Sequence, residues 1–457
     1  MSAPRPGAGQ PETDAIALAE RVLDLVRARA ASAEAEVNVR TGTHALTRFA
    51  NGAIHQNVAE ELREIGVRVA LDGHVAAARL DGPAGDDELR DLVAGVFEAA
   101  AVSPVDADWP GLASPTPSPD VDHWDDATGA ATPDERATLV AAFVGAADEL
   151  VTAGAVSTSA FHAAFANTAG QAVTGRGTSA DIDGIGRTGT SDGVARQSSV
   201  RVGDIDAAAA GRRAAQKARD GAEPGDLEPG RYEVVLEPSC VADIVDFVLV
   251  HGFGGRAVNE GRSFVRPGEA QLDRSITLRQ DVADARLAGL AFDAEGTPRG
   301  AIDLVRAGVT GSVLHDRRTA RTAGAESTGN AALGPNPYGG VPASLILESG
   351  SADPSDMIAS VERGLLVTDF WYTRVLDPKT LVITGLTRNG VWLIEDGQVV
   401  RPVRNLRFTQ GYAQALGPGN VKAIGNDPTL FSHGPDDQLL VPSLHLASWA
   451  FTGGAKG

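Results

Sequence analysis

The chain has 457 residues, of which 43% are hydrophobic and 22% charged, a balance that excludes a wholly disordered protein. Its formal net charge of −20 would repel phosphate backbones, so nucleic acid is not expected as a direct partner. A single cysteine, Cys240, excludes an intramolecular disulfide and a cysteine-based zinc knuckle. No apolar run is long enough to span a membrane and Met1–Glu12 has no apolar core, so neither a membrane span nor a signal peptide is expected, and cytoplasm is the predicted location.

The first part of the chain predicts a helix, a meander of strands and a second helix. Apolar residues at helical spacing indicate helices over about 14–30 and 86–101. Between them, alternating apolar residues predict short strands at 37–39, 45–49, 54–58, 65–71 and 75–79. Two pairs have the composition of two-residue hairpin turns with positive φ, Asn51-Gly52 and Asp72-Gly73.

A proline-rich stretch over residues 103–131 predicts a linker. Residues 132–135 then have the sequence of a helix start, because Thr132 can cap the helix and Glu135 completes a capping box. This helix is expected to continue to about residue 151. Short alternating β segments with glycine-rich turns are predicted over 155–203, and an Ala/Arg helix over 205–220.

Turns and strands dominate the C-terminal half. After a turn at 228–230, a strand is predicted at Tyr232–Leu236 and an apolar helix over 240–251. Short strands follow from residue 262, with one further helix at about 354–364. The 53 glycines and the aromatic fraction of 5% also favour many tight turns and a β-rich fold.

These elements predict an α+β fold in two lobes. The mixed N-terminal lobe is divided into an α/β-meander domain over 1–110 and a proline-rich linker with a central α+β domain over 111–225. The C-terminal lobe, 226–457, is predicted as a large, mostly antiparallel, barrel-like β domain. Barrel closure would remove exposed edges in such a strand-rich chain.

The nine histidines form no recognisable metal site. A gluzincin-type zinc site needs two histidines on one helix face with a glutamate beside the first, and no histidine here is followed by glutamate. Solvated or core-packed roles are therefore predicted for all nine, which are His44, His55, His74, His123, His162, His251, His315, His433 and His445.

Three further patterns have a simple structural interpretation. Cys240 precedes an apolar helix, but His251 lies about three turns further on, so a buried structural cysteine is predicted in place of a nucleophile. Gly184-Ile185-Gly186 lacks the strand–loop–helix context of a phosphate loop and predicts a turn. Core or edge packing is preferred over a ligand surface for three aromatic residues, Trp371, Tyr372 and Trp392. The residues alone thus predict a soluble α+β protein without a visible active site.

Four blocks resemble the TldD/PmbA metallopeptidase family. They read TRFANGAIHQN with VRVALDG, GRYEVVLEP, FDAEGTP and STGN, and they lie at 47–57 with 67–73, 230–238, 292–298 and 327–330. Because the four blocks occur in the family's order, the resemblance is specific.

Active members of that family carry a His-Glu-x-x-x-His zinc motif on the helix after the second block. Counted without a gap, the motif positions fall on Asp246, Phe247 and His251. Phe247 cannot polarise a water molecule, and Asp246 and His251 would point about 140° apart on a regular helix, converging only if the helix were distorted. Active members also use a cysteine near the C-terminus as a ligand, and residues 416–430 contain none.

The resemblance therefore implies the TldE (PmbA)-like branch, whose members pair with a TldD subunit. It implies a non-catalytic subunit of an intracellular zinc peptidase that degrades unfolded or extended peptides in an enclosed chamber. No catalytic or metal-binding residue is assigned to this chain, and zinc is expected in the TldD-type partner. Two alternatives remain. One is a hydrolase with a divergent site near Asp246 and His251, and the other is a homodimer that captures extended peptides at a sheet edge.

Overall fold

The structure, a computed structural model, describes residues 11–334, 336–434 and 437–454. Residues 1–10 lie outside the described residues. They include most of Met1–Glu12, the segment in which the sequence predicts no signal peptide. Within the described ranges, no helix is both long and apolar enough to cross a membrane.

Ten α-helices are formed by the described residues: α1 (Pro11–Arg29), α2 (Asp86–Val102), α3 (Asp126–Gly129), α4 (Pro133–Ala146), α5 (Ala207–Asp220), α6 (Pro238–Val248), α7 (Gly255–Asn259), α8 (Arg317–Ala323), α9 (Pro354–Ala359) and α10 (Tyr412–Ala415). A π-helical turn, Leu249–Phe253, continues α6.

The strands in the N-terminal half are β1 (Glu34–Ala50), β2 (Ala53–Leu71), β3 (His74–Asp81), β4 (Val151–Asn167), β5 (Ala172–Arg187) and β6 (Asp192–Ser199). Those in the C-terminal half are β7 (Gly230–Leu236), β8 (Leu278–Gln280), β9 (Ile302–Arg306), β10 (Val309–Thr310), β11 (Leu345–Leu347), β12 (Arg363–Asp377), β13 (Val382–Glu395), β14 (Gln398–Pro402), β15 (Leu406–Gly411), β16 (Val421–Ile424), β17 (Thr429–Gly434), β18 (Asp437–Val441) and β19 (Leu444–Gly454).

The N-terminal half builds one antiparallel sheet in the order β3-β2-β1-β4-β5-β6. Both predicted hairpin turns are confirmed, with φ of 51° and 74° at Asn51 and Gly52 and of 51° and 82° at Asp72 and Gly73. The strand predicted at 75–79 is confirmed as β3, but the strands predicted at 37–39 and 45–49 are one strand of 17 residues, β1, and those at 54–58 and 65–71 are one strand of 19 residues, β2. The polar middle of β1 pairs with β2 on one side and β4 on the other, so the ladder continues where the apolar pattern lapses.

Four helices cover parts of this sheet. α1 and α2 pack with β1 and β2 in one apolar cluster, and α4 and α5 pack with β4 and β5 in another. The predicted capping box of α4 is confirmed, since the Thr132 hydroxyl accepts from the Glu135 amide and the Glu135 carboxylate accepts from the Thr132 amide. The helix ends at Ala146 and not near residue 151, because Asp148 and Glu149 adopt positive φ and turn the chain into β4.

The proline-rich stretch is not the loose linker that its composition predicts. Asn167 donates to the backbone oxygen of Ala113 at 2.8 Å, and Arg317 donates to that of Leu112 at 2.7 Å. His123 bonds the Val282 oxygen at 2.7 Å. Because these bonds come from both halves of the chain, the stretch is an ordered strap that packs across them.

The C-terminal half contains a closed barrel of five strands, which confirms the predicted α+β class with a barrel-like lobe. The strands run β12-β7-β19-β15-β13, and pairing of β13 with β12 closes the ring. All pairs are antiparallel except β7 with β12. Phe370, Phe408 and Trp449 are buried inside, with ring centroids 4.6 Å apart for Phe370–Phe408 and 5.2 Å apart for Phe370–Trp449.

The helix predicted over 354–364 is shorter than expected, because α9 ends at Ala359. Residues beyond it are drawn into the β12–β13 hairpin, where Val361 and Glu362 accept backbone hydrogen bonds from Gly397 and Asp396.

A second sheet, in the order β10-β9-β8-β11-β18-β17, flanks the barrel. The buried side of α6 belongs to the same apolar cluster as residues of both structures, including Val241 and Val245 of the helix, Leu365 of the barrel and Leu439 of the second sheet. α6 is therefore fixed between barrel and sheet. The predicted domain boundaries near 110 and 225 stay predictions, although β3 and β4, on either side of residue 110, lie in one sheet.

Candidate functional site

A polar stripe runs along α6 within an otherwise apolar helix. Ser239, Asp243 and Asp246 are spaced by four and three residues, which places them on one face. The other faces hold the buried side chains of Cys240, Val241, Ile244, Val245 and Val248. Sequence reasoning singled out Asp246 but missed Ser239 and Asp243, although their helical spacing was a readable signal.

The stripe faces a cleft of about 700 Å³ between the two halves of the molecule. The N-terminal sheet contributes His44, Ser159 and Asp181, while the C-terminal half contributes the stripe, Asp369 and Thr373. Burial raises the pKa of Asp181. Polar and acidic groups therefore line a large space that both halves enclose.

Arg196 of β6 joins the two halves at one side of the cleft. Its guanidinium lies 3.0 Å from Asp183 of its own sheet and 3.2 Å from Asp369 of β12. The Ser239 hydroxyl donates to Asp369 at 2.7 Å, and Asn389 donates to the same carboxylate at 2.9 Å. Burial disfavours the charge on Arg196, but Asp369 and Asp183 outweigh it and raise the Arg196 pKa. The network holds the halves in register.

Asp243 is held by two donors. The Thr373 and Tyr412 hydroxyls each donate to one of its carboxylate oxygens at 2.7 Å. Burial outweighs these bonds and, with the nearby charges of Asp246 and Asp369, raises the pKa of Asp243 to about 6. Asp243 thus gains a proton more readily than an exposed aspartate.

The motif-aligned residues separate into two environments. Asp246 and Phe247 line the cleft, and the Phe247 ring also stacks on His251, which does not line it, with ring centroids 5.6 Å apart and an interplanar angle of 20°. Tyr338 meets the His251 ring edge-on at 5.5 Å, and Tyr412 meets Phe247 in the same manner at 6.0 Å. Burial lowers the pKa of His251, which favours its neutral form.

The helix distortion that could bring Asp246 and His251 together is present, because the π-helical turn begins at Leu249. However, the part of the chain that the structure describes contains no group of three or more His, Cys, Asp or Glu that could hold a metal ion. A catalytic zinc ion takes three protein ligands and a water molecule, so the described residues do not fit zinc.

Cys240 and two of the other histidines make contacts typical of structural residues. Cys240 is buried and its thiol points to the Val367 oxygen at 3.6 Å, which confirms the predicted structural cysteine. His445 pairs with Glu233 at 2.6 Å, and His44 bonds Ser159 at 2.9 Å. The side chain of His433 lies outside the described residues.

The structure also describes the glycine-rich segment 184–186 and the three aromatic residues singled out in the sequence. The predicted turn at 184–186 was wrong, because these residues lie in β5, where the absence of a side chain at Gly184 admits the Phe143 ring. Trp392 is buried and donates to the Asp220 oxygen at 2.9 Å, whereas Trp371 and Tyr372 are 45% and 64% exposed.

Comparison with other proteins agrees with this architecture. Residues 229–453 match the family described as PmbA/TldA metallopeptidase C-terminal domain. A metalloprotease of Methanothermobacter thermautotrophicus is 24% identical over 221 residues, a match that spans 48% of this chain and 48% of that relative. The chain is thus matched over about half the length of this curated relative.

Solved structures show the same fold over nearly the whole chain. TldE from Thermococcus kodakarensis has a TM-score of 0.83 at 17% identity, covering 96% of this chain and 99% of its own. A candidate modulator of a DNA gyrase from Thermotoga maritima has a TM-score of 0.82 at 17% identity, covering 95% and 100%. A candidate modulator of DNA gyrase from Bacteroides thetaiotaomicron has a TM-score of 0.82 at 18% identity, and the match covers 96% of this chain and 98% of that chain.

An N-terminal sheet packed against a C-terminal barrel, with a cleft beside α6, is thus the fold that this chain shares with these solved structures. The match over residues 229–453 supports a relationship of the C-terminal half to the TldD/PmbA family.

Proposed function

We propose that this chain is a non-catalytic, TldE-like subunit of a TldD/TldE-type zinc metallopeptidase that acts on unfolded or extended peptides. In this proposal a TldD-like subunit supplies the zinc ion and the catalytic residues. This chain supplies a wall of the chamber and a surface that binds the peptide. The assembly is cytoplasmic.

The observation that carries the proposal is the side chain at position 247. Metal-assisted peptide hydrolysis requires a group that accepts a proton from the attacking water molecule. Phe247 has no such group, and its ring stacks on His251 at 5.6 Å. A histidine packed between Phe247 and Tyr338 is held by ring contacts and not presented to a metal ion.

The cleft supports the peptide-binding part of the proposal. It is about 700 Å³ in volume and is lined by hydroxyl and carboxylate groups from both halves. Such groups can accept hydrogen bonds from the amides of an extended peptide. Arg196 ties the halves together through Asp369 at 3.2 Å, so the cleft is preformed.

The proposal is tested by co-expression with the TldD-like protein of the same genome, followed by size-exclusion chromatography and a peptidase assay on an unfolded protein. The two chains are expected to co-elute, and the complex alone is expected to cleave. A His251→Ala variant of this chain should leave that cleavage within about twofold, since His251 makes only ring contacts among the described residues.

Two outcomes would contradict the proposal. Cleavage by the lone chain that His251→Ala abolishes would favour a hydrolase with its own divergent site. A homodimer that binds peptide and never associates with the TldD-like protein would favour an independent binding protein.

A further inference from the structure

A second cavity, of about 400 Å³, lies beside the cleft, and Asp246 lines both. We propose that this cavity is a side-chain pocket for a large apolar residue, leucine or phenylalanine in size, of a peptide that lies extended in the cleft. The inference rests on the proposed function in taking a peptide as the ligand. It adds a sequence preference that the cleft alone would not give.

The wall of the pocket is mainly apolar. Its apolar lining comes from the N-terminal sheet, from the π-helical turn and from two loops of the C-terminal half, and includes Val39, Ala164, Val250, Leu290, Phe292 and Val341. A volume of this size lies within the range of small-molecule sites, which are concave and largely apolar. The volume and lining therefore leave room for a large apolar side chain.

Three of the polar side chains around the pocket, those of Asn38, Asp293 and Arg299, are bonded to the wall itself, and Arg40, Glu64 and Asp246 also line it. Asn38 donates to the Ala294 oxygen at 2.8 Å, and Arg299 donates to the Gly329 oxygen at 3.0 Å. Asp293 accepts from three backbone amides at 2.8–2.9 Å. A polar ligand group beside Asn38, Asp293 or Arg299 would lose its water without gaining equivalent partners, whereas an apolar group gains from leaving water along the apolar lining. The pocket is therefore expected to bind apolar side chains in preference to polar ones.

The π-helical turn shapes the pocket. Val250 within the turn lines the pocket, while the next residue, His251, packs against Tyr338, which lines the same pocket. π-Helical turns in α-helices are frequent at functional sites because they change the direction of side chains. At the rim, Leu333 is 45% exposed, so an apolar surface extends outward from the pocket.

The test measures binding of fluorescent peptides to the purified chain alone by anisotropy. The peptides differ at one position, which carries leucine, phenylalanine or serine. The wild-type chain is expected to bind the leucine and phenylalanine peptides about tenfold or more tightly than the serine peptide. Two variants narrow the pocket from neighbouring loops, Ala294→Leu and Ala332→Leu, and each is expected to reduce this preference to about threefold or less.

The matched control is Ala77→Leu, at an exposed position of β3 outside both cavities, which should keep the full preference. Circular dichroism confirms that each variant is folded. Equal binding of all three peptides by the wild type, or an undiminished preference in both narrowed variants, would overturn the inference. Because this assay needs no TldD-like subunit, its failure is distinguishable from failure of co-elution, which concerns the proposed function.

Discussion

A buried ionic cluster between the two halves offers a sharp test of the electrostatics. Arg68 of β2 contacts Glu36 of β1 and lies 3.0 Å from Glu295 in the C-terminal half. Glu36 and Glu295 are 3% and 6% exposed, and Asp293 is buried beside them. The Trp109 ring covers Arg68 with its centroid 5.1 Å from the guanidinium carbon. One cation therefore faces several buried acids.

Burial is the largest effect on Glu36 and raises its pKa from an ordinary 4.5 to about 7, against the opposing effect of Arg68. In this pH range the folded chain holds a proton that the unfolded chain has lost. Stability is therefore full below about pH 4.5 and falls as the pH rises to about 7. A shift of this size corresponds to about 3 kcal/mol.

Glu36→Gln mimics the protonated side chain, so the variant should not lose stability as the pH rises from about 4.5 to about 7. We expect urea unfolding at pH 4 to give nearly the same free energy for variant and wild type. At pH 8 the variant should be more stable, by up to about 3 kcal/mol. Glu61→Gln, at an exposed position of β2, is the control and should change stability by less than about 0.5 kcal/mol at either pH. A variant less stable than wild type at pH 8 would refute the reasoning, because the ion pair with Arg68 would then outweigh burial.

Three further predictions concern the fold and can be checked by urea or thermal unfolding. Gly42→Ala should lower the free energy of unfolding by about 1–3 kcal/mol, because the added Cβ would lie 2.2 Å from the Ala160 backbone oxygen. Gly66→Ala is the control and should be tolerated, since the nearest atom to its Cβ is 4.0 Å away. Equal losses of stability in the two variants would contradict this prediction. Trp449→Ala should cost about 3–5 kcal/mol by emptying the barrel interior, and a loss below about 1 kcal/mol would show that the barrel repacks. Thr132→Ala should cost about 1 kcal/mol through loss of the capping box, and an unchanged stability would mean that the box contributes nothing.

Local signals predicted much of the fold. The turns at Asn51-Gly52 and Asp72-Gly73 and the start of α4 at Thr132 follow from residue chemistry within a few positions, and all three are confirmed. The length of β1 was not predictable in this way, because its polar middle is held by partner strands that are distant in sequence. The order of the strap over 103–131 was missed for the same reason, since its bonds come from residues such as Asn167 and Arg317.

The candidate site was only partly predictable. The resemblance located α6 and drew attention to Asp246, Phe247 and His251, and the spacing of Ser239 and Asp243 was available to periodicity. The contact of Asp369 with Arg196 joins residues that are far apart in the chain and required the folded structure. The pocket beside Asp246 is formed by several separate segments, so no local pattern could reveal it.

If the stacking of His251 on Phe247 leaves this chain unable to assemble a zinc centre by itself, the purified chain should hold little zinc. The most direct measurement is the zinc content of the purified chain, determined by elemental analysis after incubation with zinc and desalting. We predict well below one zinc ion per chain, unchanged in His251→Ala. One zinc ion per chain that disappears in both Asp246→Ala and His251→Ala would show that these two residues bind zinc and would refute the proposed non-catalytic role.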